Sequence, residues 1–165
     1  MKFSSHYDLK LSQDIVFDWI SEFEKFERIA IKRGARVRRL DEGDDIIDGI
    51  KWQIGYPLRG KDRIVDLTLV EADVPNTLVF DAQNPTMAGK MRIDVIPLSR
   101  TQTRLKVDSV LQPKSLSARL LVHAMKLARS KFNRRFARRL ETSALRLEEG
   151  FDWSLFTTCC WPCSF

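Results

Sequence analysis

The first 158 residues contain no cysteine, because all three thiols lie within the last seven residues of this 165-residue chain. No disulfide can therefore link parts of the folded body, and its stability has to come from packing. The chain also lacks any apolar run near the roughly 20 residues that cross a bilayer, and its N-terminus lacks the apolar core of a signal peptide. We therefore expect a cytoplasmic protein.

Histidine is scarce as well, with only His6 and His123 in the chain. Neither belongs to a Ser-His-Asp, Cys-His or metal-binding spacing, so the sequence predicts no metal and no cofactor. Hydrophobic residues make up 44% and charged residues 30%, which is typical of a single globular domain. The net charge of +6 favours acidic partners such as nucleic acid or anionic lipid, without deciding the function.

Alternation of polar and apolar residues over positions 3–11 predicts a half-buried first strand. Ser12 can cap the helix that follows, and apolar residues then recur at helical spacing up to Gly34, a residue type that often ends helices. Beyond Gly34 the pattern returns to extended segments separated by turn residues. The sequence therefore predicts two short helices and then six antiparallel strands, over residues 35–41, 49–59, 61–71, 76–83, 88–98 and 102–112.

A long helix is predicted over residues 115–149, capped by Ser115 or Ser117 and ending before Gly150. Its role is to cover the apolar face of the sheet, while charged residues occupy the opposite face. The apolar stripe of its second half points more than a quarter turn away from that of the first half, so we expect a bend near residues 128–131. The first-half stripe, expected to face the sheet, consists of Leu116, Leu120, Ala124 and Leu127.

The order of these elements resembles that of a known superfamily. The likeness rests on the opening strand at 3–11, the entry into the first helix at 12–20 and the helix at 114–149. Over residues 1–149 the chain resembles the START/Bet v 1-like (SRPBCC) superfamily, which includes polyketide cyclases/dehydrases and lipid transport proteins. The resemblance implies an α+β helix-grip fold, in which a seven-stranded curved antiparallel sheet wraps around a long C-terminal helix, with two short helices after strand one. It also implies a cavity for a lipid, quinone, polyketide or similar apolar molecule, with catalysis in only some members.

Strand alternation selects the side chains that would line such a cavity. Tyr7, Tyr56 and Ser109 are favoured for polar ligand contacts, because a buried hydroxyl requires a hydrogen-bond partner. The alternative interpretation is that these side chains simply fill the core. The ligand-binding candidates are Tyr7, Trp52, Ile54, Tyr56, Val65, Leu67, Phe80, Met91, Ile93, Val107 and Ser109 from the sheet, with Met125 and Phe132 from the helix.

Residues for acid–base chemistry are few, and each has an ordinary structural alternative. His6 and Asp8 share the polar face of strand one and form either a His/Asp pair or two hydrated surface residues. His123 is either a proton donor at the cavity rim or a packing histidine. Asp66 and Asp81 lie in otherwise apolar strands, where they are general bases of a cyclase-like enzyme or outward-facing charges.

A basic stripe is predicted on the second half of the long helix, opposite its phenylalanines. It is either a solvated helix face or a binding surface for phosphates of RNA, a ribosome or an anionic membrane. Its members are Lys131, Arg134, Arg135, Arg138 and Arg139.

Two further segments suggest no chemistry of their own. The acidic residues 41–48 lack the register of an EF-hand, so we expect an exposed hairpin loop. Residues 150–165 form a separate aromatic extension containing Cys159, Cys160 and Cys163. Cys160 and Cys163 match C-x-x-C, but no helix follows that would lower a thiol pKa.

These observations favour a binding protein for a small hydrophobic ligand over an enzyme. A polyketide cyclase/dehydratase-like enzyme is the first alternative, and it requires a polar cluster inside the cavity. The second alternative is a module that binds RNA, a ribosome or an anionic membrane through the basic helix.

Overall fold

The computed structural model describes residues 1–40, 49–58 and 61–127, together with residues 130, 133–135, 137, 138, 141, 142 and 145. The predicted acidic loop at 41–48 and the extension at 150–165 lie outside these residues. The elements follow the chain in the order β1 (Lys2–Leu9), α1 (Gln13–Ser21), α2 (Phe23–Lys32), β2 (Arg36–Arg39), β3 (Lys51–Leu58), β4 (Lys61–Asp73), β5 (Thr77–Gln83), β6 (Met87–Ser99), β7 (Gln102–Pro113) and α3 (Leu116–Leu127).

The seven strands form one antiparallel sheet in the order β1-β7-β6-β5-β4-β3-β2. Each strand from β2 to β6 pairs with the next along the chain, and β1 pairs with β7. Helices α1 and α2 carry the chain from one edge strand, β1, to the other edge strand, β2. The prediction of one strand, two short helices and a six-stranded meander is confirmed.

The core lies between these two short helices and one face of the sheet, here called the inner face. From the helices it takes Val16, Phe17, Trp19, Ile20 and Phe23, all of them buried. Burying a side chain of this size contributes about 1.5–3 kcal/mol, so this layer dominates the packing. The inner-face residues in the same cluster are Leu9, Ile50, Trp52, Leu69, Leu78, Phe80, Ile93, Val95, Leu105 and Val107.

The position of α1 over the sheet is set by Gln13 in its first turn. Its amide nitrogen Nε2 donates to the carbonyl oxygen of Val95 at 3.0 Å, to Asn76 Oδ1 at 3.0 Å and to the carbonyl oxygen of Pro75 at 3.3 Å. The start of the helix is thereby bound to β6 and to the β4–β5 turn. Ser12 occupies the N-cap position as predicted, but its side chain makes no capping hydrogen bond.

Gly34 ends α2, as predicted, through a Schellman motif. Its backbone has φ +86°, and its N–H donates to the carbonyl oxygen of Ile31 at 2.9 Å, while the N–H of Ala35 donates to that of Ala30 at 3.0 Å. The motif satisfies carbonyl groups that a helix end otherwise leaves without partners. The chain can then turn directly into β2.

Helix α3 begins at the predicted cap, because Ser115 Oγ accepts from the N–H of Ala118 at 3.1 Å. The predicted orientation of its first half is wrong. Ala118 and Val122 are buried, whereas Leu116, Leu120 and Ala124 are exposed. The carbonyl oxygen of Thr86 accepts from the N–H groups of both Lys114 and Ser115, which sets the direction of the first turn, and the small Ala118 and Val122 occupy the side that results. The predicted continuation to residue 149 and the bend fall mostly outside the described residues.

The opposite, outer face of the sheet carries interleaved charges, as predicted. Arg92 Nε contacts Asp94 Oδ1 at 2.7 Å, and Arg104 binds both carboxylate oxygens of Asp8, at 2.7 and 2.8 Å. Lys106 Nζ lies 2.7 Å from Asp108 Oδ2. Pairs this exposed contribute little stability singly. Arg104 and Asp8 join β7 to β1, while the other two pairs each lie within one strand.

Replacing Gly34 with alanine should destabilise the fold, because a Cβ atom at φ +86° costs roughly 1–2 kcal/mol. Gly34→Asn should cost less, since asparagine tolerates the left-handed region. Urea unfolding followed by circular dichroism measures both. Equal stability of wild type and Gly34→Ala would contradict the assignment of Gly34 to the left-handed position that ends α2.

The outer face should make stability fall in acid. Hydrogen bonds from Arg104 lower the pKa of Asp8 below its ordinary 3.8. Burial acts to raise the pKa of Asp108, but hydrogen bonds from Lys106 and Ser4 and nearby positive charge outweigh it, so this pKa also lies below 3.8. Both carboxylates therefore stabilise the fold above that pH and lose their contribution as pH falls through their folded pKa values.

An Asp8→Asn/Asp108→Asn variant should accordingly be less stable than wild type at neutral pH. The difference should shrink below about pH 4, where the wild-type aspartates become protonated and neutral. Urea unfolding at a series of pH values measures this. A stability difference that stays constant down to pH 2 would contradict the account.

Candidate functional site

One row of inner-face residues crosses four neighbouring strands without being fully buried. Leu67 of β4 is paired with Ala82 of β5, Ala82 with Gly89 of β6, and Gly89 with Leu111 of β7. All four are partly accessible. We call this row, with the adjoining Met91 and Ser109, the inner strip.

The inner strip borders side chains that are fully covered. In the next row towards α1, Leu69 and Phe80 are buried, and beyond them so are Leu78, Ile93 and Val107. The short helices therefore cover one part of the inner face and leave the inner strip partly open. An apolar surface held open beside a packed core is the kind of surface on which apolar ligands bind.

Small residues occupy the middle of the inner strip. A Cβ atom added to Gly89 would meet Leu111 Cδ2 at 3.3 Å and Ala82 Cβ at 3.7 Å. Ala82 and Gly89 thus form a shallow floor, with the longer Leu67, Leu111 and Met91 around it. The only hydroxyl on the strip is that of Ser109, which is paired with Met91.

An aromatic cluster stands at the β3 end of the inner face. The ring of Phe23 lies 5.3 Å from that of Trp52 and 6.2 Å from that of Phe80, edge to face in both cases. Trp52 Nε1 donates to Glu27 Oε1 at 2.6 Å, and the guanidinium carbon of Arg39 lies 5.9 Å from the centroid of the indole ring. The indole is therefore held from α2 and from β2.

The predicted ligand-binding residues of the sheet all lie on the inner face, but they differ in accessibility. Tyr7, Ile54, Leu67, Met91 and Ser109 are partly exposed. The buried members are Trp52, Tyr56, Val65, Phe80, Ile93 and Val107. The side chain of Met125 and the whole of Phe132 lie outside the described residues, so their part in a site stays a prediction.

Sequence reasoning missed Ala82, Gly89, Leu111 and Glu27. Leu111 shares the alternation of Val107 and Ser109, so the signal for it was present. Ala82 and Gly89 carry no pattern that marks a site, and only the strand register brings them together. The contact of Glu27 with Trp52 joins a helix to a strand and has no signature in the sequence.

The acid–base candidates do not meet on the inner face. His6 lies on the outer face, and Asp8 beside it binds Arg104. Asp66 is exposed and accepts from Gln53 Nε2 at 3.3 Å, while Asp81 is paired with Lys90 on the outer face. These carboxylates are outward-facing strand charges.

His123 is exposed and does not share the side of α3 on which Ala118 and Val122 are buried. The interpretation as a packing histidine is therefore wrong, and a role as proton donor at a cavity rim stays a prediction. Among the residues that the structure describes, no group of three or more His, Cys, Asp and Glu could hold a metal ion. No helix in the described ranges is long and apolar enough to cross a membrane.

The basic residues of the second half of the C-terminal helix are described only in part. Arg134, Arg135 and Arg138 are helical and exposed. Lys131 and Arg139 lie outside the described residues. The use of this stripe as an anion-binding surface stays a prediction.

No family model matches this sequence, and no curated protein matches it significantly. Solved structures do match in fold. The Zhui aromatase/cyclase from Streptomyces sp. R1128 has a TM-score of 0.61 at 12% identity, over 88% of this chain and 94% of that chain. The START/Bet v 1-like fold is present here.

Two further solved structures have this fold. A START superfamily protein from Mycobacterium smegmatis gives a TM-score of 0.53 at 14% identity, over 84% of this chain and 98% of that one. Norcoclaurine synthase from Thalictrum flavum, solved with dopamine and hydroxybenzaldehyde, gives 0.58 at 9% identity, over 76% of each chain. Identities this low establish the fold alone.

Replacing Glu27 with alanine should destabilise the START/Bet v 1-like fold by about 1–3 kcal/mol, because it leaves the partly buried indole N–H of Trp52 without its acceptor. Glu24→Ala in the same helix is the matched control. Glu24 forms only an exposed pair with Arg28, so its loss should cost less than about 1 kcal/mol. Urea unfolding measures both, and equal losses would contradict a special role for Glu27.

Proposed function

We propose that this protein binds a small hydrophobic ligand on the inner strip, between the sheet and the C-terminal helix. The observation that carries the proposal is the contrast in burial across one sheet face. Leu67, Ala82, Gly89 and Leu111 stay partly open, whereas Leu69 and Phe80 in the adjoining row and Leu78, Ile93 and Val107 beyond it are buried. Leaving an apolar row uncovered forgoes stabilisation that packing would supply, and a bound apolar molecule restores it.

The class of ligand follows from the side chains that form and surround the floor of the inner strip. Leu67, Met91 and Leu111 present aliphatic and thioether surface, and the Ala82–Gly89 floor has no long side chain of its own. Met91 adapts its shape easily and contacts aromatic rings favourably. The surface therefore suits a lipid chain, a quinone or an aromatic polyketide, with Ser109 as a single hydrogen-bonding group.

Binding is favoured over catalysis. Acid–base chemistry needs titratable groups within hydrogen-bond reach of the reacting atoms. His6, Asp8, Asp66 and Asp81 face away from the inner strip, and His123 is on the exposed side of α3. The aromatase/cyclase and the synthase thus have a similar fold, but the candidate acid–base residues of this chain do not lie on the inner strip.

Narrowing the floor should weaken binding. Ala82→Leu places a larger side chain in the middle of the inner strip, so the affinity for an apolar probe should fall about tenfold or more through steric exclusion. The probe is 1-anilinonaphthalene-8-sulfonate, followed by fluorescence and displaced in turn by a fatty acid, a quinone and an aromatic polyketide. Native mass spectrometry of the purified protein tests for a ligand that is already bound.

Lys90→Leu is the matched control, because Lys90 adjoins Gly89 in the same strand and lies on the outer face. It should leave probe affinity unchanged. Equal effects of the two substitutions would remove the inner strip as the site. Absence of any occupancy, by mass spectrometry and by displacement with all three ligand classes, would overturn the proposed function.

A further inference from the structure

Helix α3 carries apolar residues on two opposite sides. Ala118 and Val122 are buried, at 5% relative exposure each. On the other side Leu116 and Leu120 are 78% and 74% exposed, the most exposed large hydrophobic residues in the described chain. They lie one helical turn apart, with the exposed Ala124 one turn further on. We call these three residues the leucine ridge.

One exposed leucine requires no explanation, since much of any protein surface is apolar. Two neighbouring leucines at about three-quarters exposure are different, because the helix already has a separate buried side. The described part of the chain does not pack on the leucine ridge. A helix with this second apolar side offers a surface to something outside the chain.

The charge around the leucine ridge identifies what that partner should be. Residues 114–140 contain nine of the 28 lysines and arginines and none of the 22 aspartates and glutamates. The remaining 138 residues therefore hold 19 cations against 22 anions, so the rest of the chain is formally negative. The whole positive excess of this protein lies on the segment that bears the leucine ridge.

Several of these cations are available for contact. Arg119 lies between Leu116 and Leu120 in the sequence and is exposed, as are Arg134, Arg135 and Arg138. None of the four forms a salt bridge with another residue in the described ranges. Within these ranges no carboxylate neutralises them, so their charge can attract an anionic surface.

We propose that the leucine ridge, with Arg119 beside it and the exposed arginines further along the chain, forms a docking surface for an anionic lipid bilayer. Leucines that enter the boundary between headgroups and acyl chains, with arginines at the level of the phosphates, make up the usual chemistry of an interfacial helix. RNA would engage the arginines through its phosphates but would leave the leucines exposed. The leucines therefore distinguish a bilayer from a nucleic acid.

Co-sedimentation with vesicles tests the proposal in the full chain. Binding is expected to vesicles rich in phosphatidylserine and to be much weaker with phosphatidylcholine alone. It should weaken as ionic strength rises above about 0.15 M, because salt screens the arginines. Leu116→Gln/Leu120→Gln should lower the affinity about tenfold or more, since glutamine keeps the helix but removes the apolar surface. Arg119→Gln should lower it about fivefold.

Ile15→Gln/Ile31→Gln is the matched control, because it removes two exposed apolar residues from the other helices. It should bind vesicles as wild type does. Circular dichroism checks that each variant is folded, and Arg119→Gln carries the test if the leucine variant is not. The result is independent of the inner strip, whose occupancy is measured separately.

Three outcomes would overturn the proposal. One is wild-type affinity for anionic vesicles in the leucine variant. Another is binding of a single-stranded RNA oligonucleotide without any binding to vesicles, which would assign the surface to nucleic acid. The third is a concentration-dependent dimer that the leucine variant abolishes, again without vesicle binding, which would assign the surface to a second copy of the chain.

Discussion

Side chains along a strand point alternately to opposite faces, and seven antiparallel strands in register turn this into two faces of opposite character. The positions of the surface charges, of the two short helices and of the inner strip all follow from that division. The outer face holds its charges in cross-strand pairs such as Asp8 with Arg104, where water solvates them. The inner face is apolar and requires a cover. Helices α1 and α2 supply it over part of the sheet, secured at Gln13, and leave the inner strip partly open beside the core.

The same division explains why the sheet was predictable from sequence. Each strand can be recognised from its own residues, because a face that is buried on one side requires strict alternation. Gly34 was recognisable for a different local reason, since a helix end in the left-handed region favours glycine. The face that α3 turns towards the protein was not predictable. Leucine is more hydrophobic than alanine or valine, so a sequence pattern selects the leucines as the buried side. In the structure the hydrogen bonds to the carbonyl oxygen of Thr86 set the direction of the helix, and the small Ala118 and Val122 are buried instead.

Strand alternation predicted which face of the sheet carries the candidate site, but not where on that face the site lies. Alternation selects every inward side chain, so Trp52 and Phe80 qualified together with Leu67 and Met91. Their burial differs because α2 packs Phe23 against both Trp52 and Phe80, a contact between residues far apart in the sequence. Ala82 and Gly89 are informative only through register, which places two small residues side by side on neighbouring strands. Where sites depend on what neighbouring helices leave uncovered, single-strand patterns cannot locate them.

The most direct test of the central claim, that the inner strip is the ligand site, is a titration of methyl-labelled methionines followed by NMR. Met91 lies on the strip, paired with Ser109 of β7. The account predicts that an apolar ligand such as a quinone shifts the methyl resonance of Met91 in a saturable way. Saturable binding that leaves the Met91 resonance unmoved would contradict it.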